Sequence, residues 1–170
     1  MTTLRCTHKL LARLGLPASL KSPHPPTNAL GNWYMNLLRI GRHQLVIATS
    51  ERSLFTVLLP ARDLSDSLSE NLLLAVEYQL VAIGISPERA SQETSAMFPI
   101  TWGNTANRSV LGSMTDMAMR LPLLLAGGRT IYDAMRDLNN TPMSGIATAE
   151  ERMPYPVDVA LVLLAKPQLV

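Results

Sequence analysis

Cys6 is the one cysteine in 170 residues, which excludes an intramolecular disulfide framework and a multi-cysteine zinc site and fits a reducing compartment. Aromatic residues make up 5% of the chain and charged residues 16%, the latter below the roughly 25% of an average soluble domain. With nine methionines and many leucines, that shortage of charge predicts an apolar surface patch, covered by a second copy of the chain or by a protein partner. No apolar run approaches the ~20 residues that span a bilayer. The longest, Leu121 to Ala126 and Val157 to Ala165, are far shorter, so membrane insertion is not expected. Lys9, Arg13 and Pro17 interrupt the one early stretch that resembles a signal peptide, and the expected location is the cytoplasm.

A second shortage is local. Residues 1–50 contain no Asp or Glu, yet they hold Arg5, Lys9, Arg13, Lys21, Arg39 and Arg42 and all three histidines, His8, His24 and His43. The remaining 120 residues carry nine Lys/Arg against thirteen Asp/Glu, so the net charge of +2 conceals an asymmetry. If the first third folds onto one side, Arg5, Lys9, Arg13, Arg39 and Arg42 form a basic face for an anionic partner such as a nucleic acid. If the two portions interleave, the charges largely cancel.

What is present reads as one α+β domain over 1–170. Thr2 to Cys6 has the pattern of a short strand, and Thr7 to Leu14 that of a short helix capped by Thr7 and stopped by Gly15. Residues 17–30, with Pro17, Pro23, Pro25 and Pro26, read as a loop that could act as a lid or contact arm. Three runs, Trp33 to Ile40, Gln44 to Thr49 and Leu54 to Leu59, predict an antiparallel meander with hairpin turns between them, the middle one nearly all apolar as suits a central strand. The first strand could join it, and the helices are expected mainly on one face. Ser67 to Glu70 has capping-box spacing before a helix that Gly84 stops, and Ser86-Pro87-Glu88 opens the next. Phe98 to Trp102 is a further strand that Pro99 confines to an edge or a strand start. A helix beginning near Asn107 or Ser109 turns Val110, Leu111, Met114, Met117, Ala118, Leu121 and Leu125 to the core. Pro122 should kink or divide it. Residues 129–170 form a C-terminal helical extension, with helices from Thr130 to Asn139 and from Pro156 to Ala165.

Few residues suggest chemistry. The three histidines have no partner at metal-ligand spacing, no Gly-rich phosphate loop is present, and no Ser sits in a nucleophile elbow, so neither cofactor nor metal is expected. Trp33 and Tyr34 beside Arg39, Arg42 and His43 could offer a stacking surface to single strands, although Trp33, Met35 and Leu37 alternate as a core face does. The densest polar run, Asn104 to Asp116, leads into a helix whose second face carries Ser109, Gly112, Ser113, Asp116 and Arg120. Asn107, Arg108 and Ser109 at its start, with Ser113 and Asp116 beyond, make a candidate site for an anion or a partner, since a helix start offers unpaired amides and a positive dipole end. The plainer alternative is that Asn107 or Ser109 caps the helix, Asp116 pairs with Arg120, and Gly112 lets another element pack closely.

The start Leu4 to Leu11, the segment Trp33 to Ile40, and Asn107 to Asp116 together resemble a family of small uncharacterised bacterial proteins, over roughly residues 2–125. Members carry a Thr-Asn-Asn-Arg-Ser-Val-Leu-Gly-Ser-Met-Asn-Asp run, from which this chain departs at Ala106 and Thr115. The resemblance implies a compact bacterial domain associated with mobile elements, singles out Asn107, Arg108, Ser109 and Asp116, and supplies no reaction. The reading that follows is a non-catalytic binding or regulatory accessory protein that contacts another protein or itself. Nucleic-acid binding by the basic third is the first alternative, and an enzyme acting on an anionic substrate at Arg108 and Asp116 the second.

Overall fold

The computed structural model describes residues 1–17, 24–62, 64, 67–146 and 153–165. Strands β1 (Thr2–Cys6), β2 (Trp33–Ile40), β3 (His43–Ser50), β4 (Thr56–Pro60) and β5 (Ile100–Asn104) form one sheet in the order β4-β3-β2-β1-β5. The helices are α1 (His8–Arg13), α2 (Leu68–Ala82), α3 (Pro87–Ala96), α4 (Arg108–Leu124), α5 (Ile131–Asn139) and α6 (Pro156–Ala165). The meander over β2, β3 and β4 is antiparallel, with Trp33 opposite Ser50 and Val46 opposite Leu59. The rest of the sheet is not. β1 runs parallel to both its neighbours, Leu4 lying beside Trp33 on one side and Trp102 on the other, so the sheet is mixed. The reason lies in connection length: a short turn reverses the chain, whereas the segments holding α1, and α2 with α3, are long enough to carry it back for a parallel strand.

Both faces of the sheet are covered, rather than mainly one. Tyr34, Thr49 and Thr56 share a face beneath α4, where the Asn107 N–H donates to the Tyr34 hydroxyl at 3.0 Å and the Thr56 hydroxyl meets Met117 Sδ at 3.2 Å. On the other face Leu4, Trp33, Met35 and Ala48 are fully buried. A strand enclosed on both sides reads as a continuous apolar run, as the middle of β3 does. Cys6 lies in this interior, and burial pushes its thiol up to about 12. Ala134, Met135, Leu138, Ala160 and Leu164, all from the C-terminal 42 residues, belong to the same apolar core as β1 to β4.

Local signals set most helix ends. Ser86 accepts the Arg89 N–H at 3.3 Å before Pro87, and Thr130 with Asp133 closes a capping box on α5. Ser67 makes no such cap. Its hydroxyl accepts from the Asn71 side chain at 3.1 Å, so the predicted Ser67–Glu70 box is not formed. Thr7 likewise leaves α1 uncapped and donates to Asn36 Oδ1 at 2.8 Å. α4 continues through Pro122, which lacks the N–H that would reach the Ala118 carbonyl, and ends two residues later at Leu124 rather than dividing there.

Part of the proline-rich loop, residues 18–23, lies outside the described residues. Its described end is pinned. The buried Glu93 carboxylate on α3 accepts from Asn28 Nδ2 (3.1 Å), Ala29 N (3.0 Å) and Leu30 N (2.8 Å). Such charge-assisted bonds are worth roughly 1.5–3 kcal/mol each, and their loss strands buried donors. Glu93→Ala is therefore expected to cost at least about 3 kcal/mol in chemical denaturation, against about 0.5 kcal/mol or less for Gln92→Ala on the exposed side of α3.

Candidate functional site

The predicted polar run does start α4, with Asn107 as its cap. Asn107 Oδ1 accepts from the Ser109 and Val110 amides at 2.9 and 3.3 Å, which uses two of the amides an anion would need. Arg108 and Ser109 are exposed in the first turn. Asp116 is exposed too, but eight residues beyond Arg108 it stands about 12 Å further along the axis, so one small anion cannot touch both. No ion pair joins Asp116 to Arg120 among the described residues. Ser113 is not on an open face: it is buried against the 3-10 turn Ser144–Ile146, where a Cβ at Gly145 would collide with its hydroxyl. Gly112, by contrast, is exposed with nothing within 4 Å of where a Cβ would stand. The close approach that small residues allow thus occurs at Ser113, one residue from where it was expected.

The basic residues divide. Arg5 on β1 is half-buried, with Nη1 donating to the Asn104 carbonyl at 3.1 Å and Nε buried without a partner. It is drawn into the fold and leaves the expected basic face. Lys9 and Arg13 on α1, and Arg39 and Arg42 at the β2–β3 hairpin, are exposed. β1 lies between β2 and β5, so the first third interleaves with later segments. Trp33 and Tyr34 are fully buried because β2 is an interior strand, and no stacking surface is formed by them.

Sequence reasoning missed the partners of Tyr34. Its hydroxyl donates to Glu51 Oε1 at 3.3 Å, and Glu51 Oε2 accepts from Asn32 Nδ2 at 2.9 Å. Burial first, and then the Glu51 carboxylate, hold the Tyr34 hydroxyl above its ordinary pKa. This network ties β2, the turn after β3 and the start of α4 together, and it leaves the Asn107 backbone satisfied.

A larger feature was also missed. Between α2 and α5, along the outer edge of β4, lies an open cleft of about 1010 Å³, a volume in the upper range of ligand pockets. Leu74 and Tyr78 on α2 and Tyr132 on α5 line it and are 68%, 62% and 56% exposed. The Tyr78 and Tyr132 rings meet across it at 5.7 Å, tilted by 60°. Composition had predicted an exposed apolar patch, and the signal for its place was in α2. Leu68, Leu72, Val76 and Leu80 already supply a core stripe, yet Leu74, Tyr78 and Val81 repeat at helical spacing on another face. A helix apolar on two faces has a second surface to cover.

Among the described residues no helix is long and apolar enough to cross a membrane, and no group of three or more His, Cys, Asp or Glu could hold a metal ion. The chain belongs to the family described as a domain of unknown function, DUF6933, whose model matches residues 3–159. The match runs from β1 into α6 and includes both the α4 start and the cleft. No curated protein and no solved structure matches the chain.

Two glycine substitutions separate the open from the packed part of α4. Gly112→Ala is expected to raise stability by about 1 kcal/mol, the helix-propensity difference. Gly145→Ala, which must push Ser113 and Leu54 aside, is expected to lower it by about 1–3 kcal/mol. Thermal denaturation of both variants checks the pair.

Proposed function

We propose that this chain is a non-catalytic binding protein that contacts a protein partner through the cleft between α2, β4 and α5. The observation that supports this reading is the exposure of Leu74, Tyr78 and Tyr132 around one concave surface. Three large apolar side chains facing water together are costly, and contiguous apolar surface of this kind marks interaction sites. Tyrosines at the rim suit an interface, because each offers apolar area and a hydrogen-bonding tip. With benzoylphenylalanine in place of Tyr132, illumination in the native host is expected to give a covalent adduct with a polypeptide, and none with the same group at Gln92. No adduct at Tyr132, or equal yields at both positions, contradicts the reading.

A second reading has its own support. Lys9, Arg13, Arg39 and Arg42 are exposed and have no acidic partner among the described residues, as a phosphate-contacting surface requires. If all four meet phosphates of a duplex, log K should fall against log salt with a slope of about −3 to −4. Fluorescence anisotropy with a labelled duplex across a salt series checks it, and binding that is weak at low salt or independent of salt contradicts it.

A further inference from the structure

α4 has two faces, and the core uses one of them. Val110, Met114, Met117 and Leu121 are buried. On the opposite face Arg108, Gly112, Thr115, Met119 and Leu123 follow at steps of three and four, and all are exposed; such spacing lays residues in one line along a helix. Leu123 and Met119, at 79% and 75%, are the most exposed large apolar side chains among the described residues. No residue of α4 lines the cleft between α2, β4 and α5, so this line is a separate surface.

The line is complementary to itself when reversed. Gly112 and Met119 stand equally far from the midpoint between Thr115 and Asp116, and so do Arg108 and Leu123. A second α4 turned about a two-fold axis at that midpoint sets its Met119 over Gly112 of the first, where nothing lies within 4 Å of the place of a Cβ. The axis repeats the fit, so each projecting side chain meets a gap. Each Arg108 falls beside Leu123 and the carbonyl end of the other helix, where its stem covers the leucine and the helix dipole favours its charge. Asp116 and Arg120 lie on one flank of the line, both exposed, and neither has an ion pair among the described residues. Helix side chains lean toward their own N-terminus. In an antiparallel pair the Asp116 carboxylate and the Arg120 guanidinium of the other copy therefore lean toward each other, and the axis forms that contact twice.

We propose that the outer face of α4 is a self-association surface, at which two copies of this chain pair antiparallel with Met119 of each over Gly112 of the other and Asp116 bonded to Arg120 across the axis. A foreign protein would have to supply projection, gap and both charges in matching order, whereas a second copy has them by symmetry. A helix of 17 residues is about 25 Å long. One such contact lies at the small end of interface areas, below roughly 1,200 Å², so the dimer is reversible.

Sedimentation equilibrium of the wild-type chain from about 1 to 300 μM tests this, and a monomer–dimer equilibrium is expected. Asp116→Arg and Arg120→Asp are each expected to weaken the dimer about tenfold or more, and the double variant to regain most of that loss. Gly112→Leu, which fills the gap, is expected to abolish the dimer without lowering the melting temperature of the dilute protein. A chain that stays monomeric throughout overturns the pairing, as does a dimer that tolerates Gly112→Leu or a double variant no better than its parents. Oxidative cross-linking fixes the direction, since Cys6 is buried. Thr115→Cys lies beside its own copy at the axis and should cross-link, whereas Arg108→Cys, roughly 22 Å from its copy, should not. Cross-linking at Arg108→Cys, or at neither position, overturns the antiparallel arrangement. Each of these results leaves the reading of the cleft untouched, because that reading is tested at Tyr132.

Discussion

The structure depends on β1 being hydrogen-bonded along both edges, parallel to β2 and to β5. Five residues, Thr2–Cys6, thereby join β2 (Trp33–Ile40) to β5 (Ile100–Asn104), strands far apart in the sequence. Parallel pairing requires a connection that returns over the sheet, which is why α1 precedes β2, and α2 with α3 precede β5. It also leaves β4 at the far edge, because the meander can grow only away from β1. The edge position of β4, beside which the cleft lies, follows from the placing of this one short strand.

Parallel strands set side by side must also satisfy the loops that enter them, and buried polar side chains do this. Asn32 Oδ1 accepts from Thr3 N at 3.0 Å, and the Thr2 hydroxyl donates to Asn28 Oδ1 at 2.7 Å. Glu93 and Glu51 then hold Asn28 and Asn32 from behind. A carboxylate with several N–H donors around it is stable inside a protein, whereas the same group without them is not. The interior acids therefore hold the backbone around the start of β2, while α4 and the cleft lie on the outward elements.

Periodicity and punctuation made the elements legible. Pro156 to Ala165, Trp33 to Ile40 and the Ser86 cap were readable because spacing, proline and cap residues act within a few positions of one another. The direction of β1 was not readable, since an apolar strand looks the same whichever neighbour it joins. Ser113 shows the same limit: helical spacing put it on a polar face, and only the return of Ser144–Ile146 buries it. The candidate site was legible at Asn107, whose capping role is local. The cleft between α2, β4 and α5 was not, because a concave surface is defined by what the rest of the chain fails to cover.

Amide hydrogen exchange, resolved along β1, tests the placing of this strand most directly. The amides of Thr2–Cys6, bonded along both edges of β1, should be among the most strongly protected in the chain, and the exposed end of the β2–β3 hairpin among the least. Exchange along β1 as fast as at that hairpin would contradict its place between β2 and β5, on which the arrangement of the sheet depends.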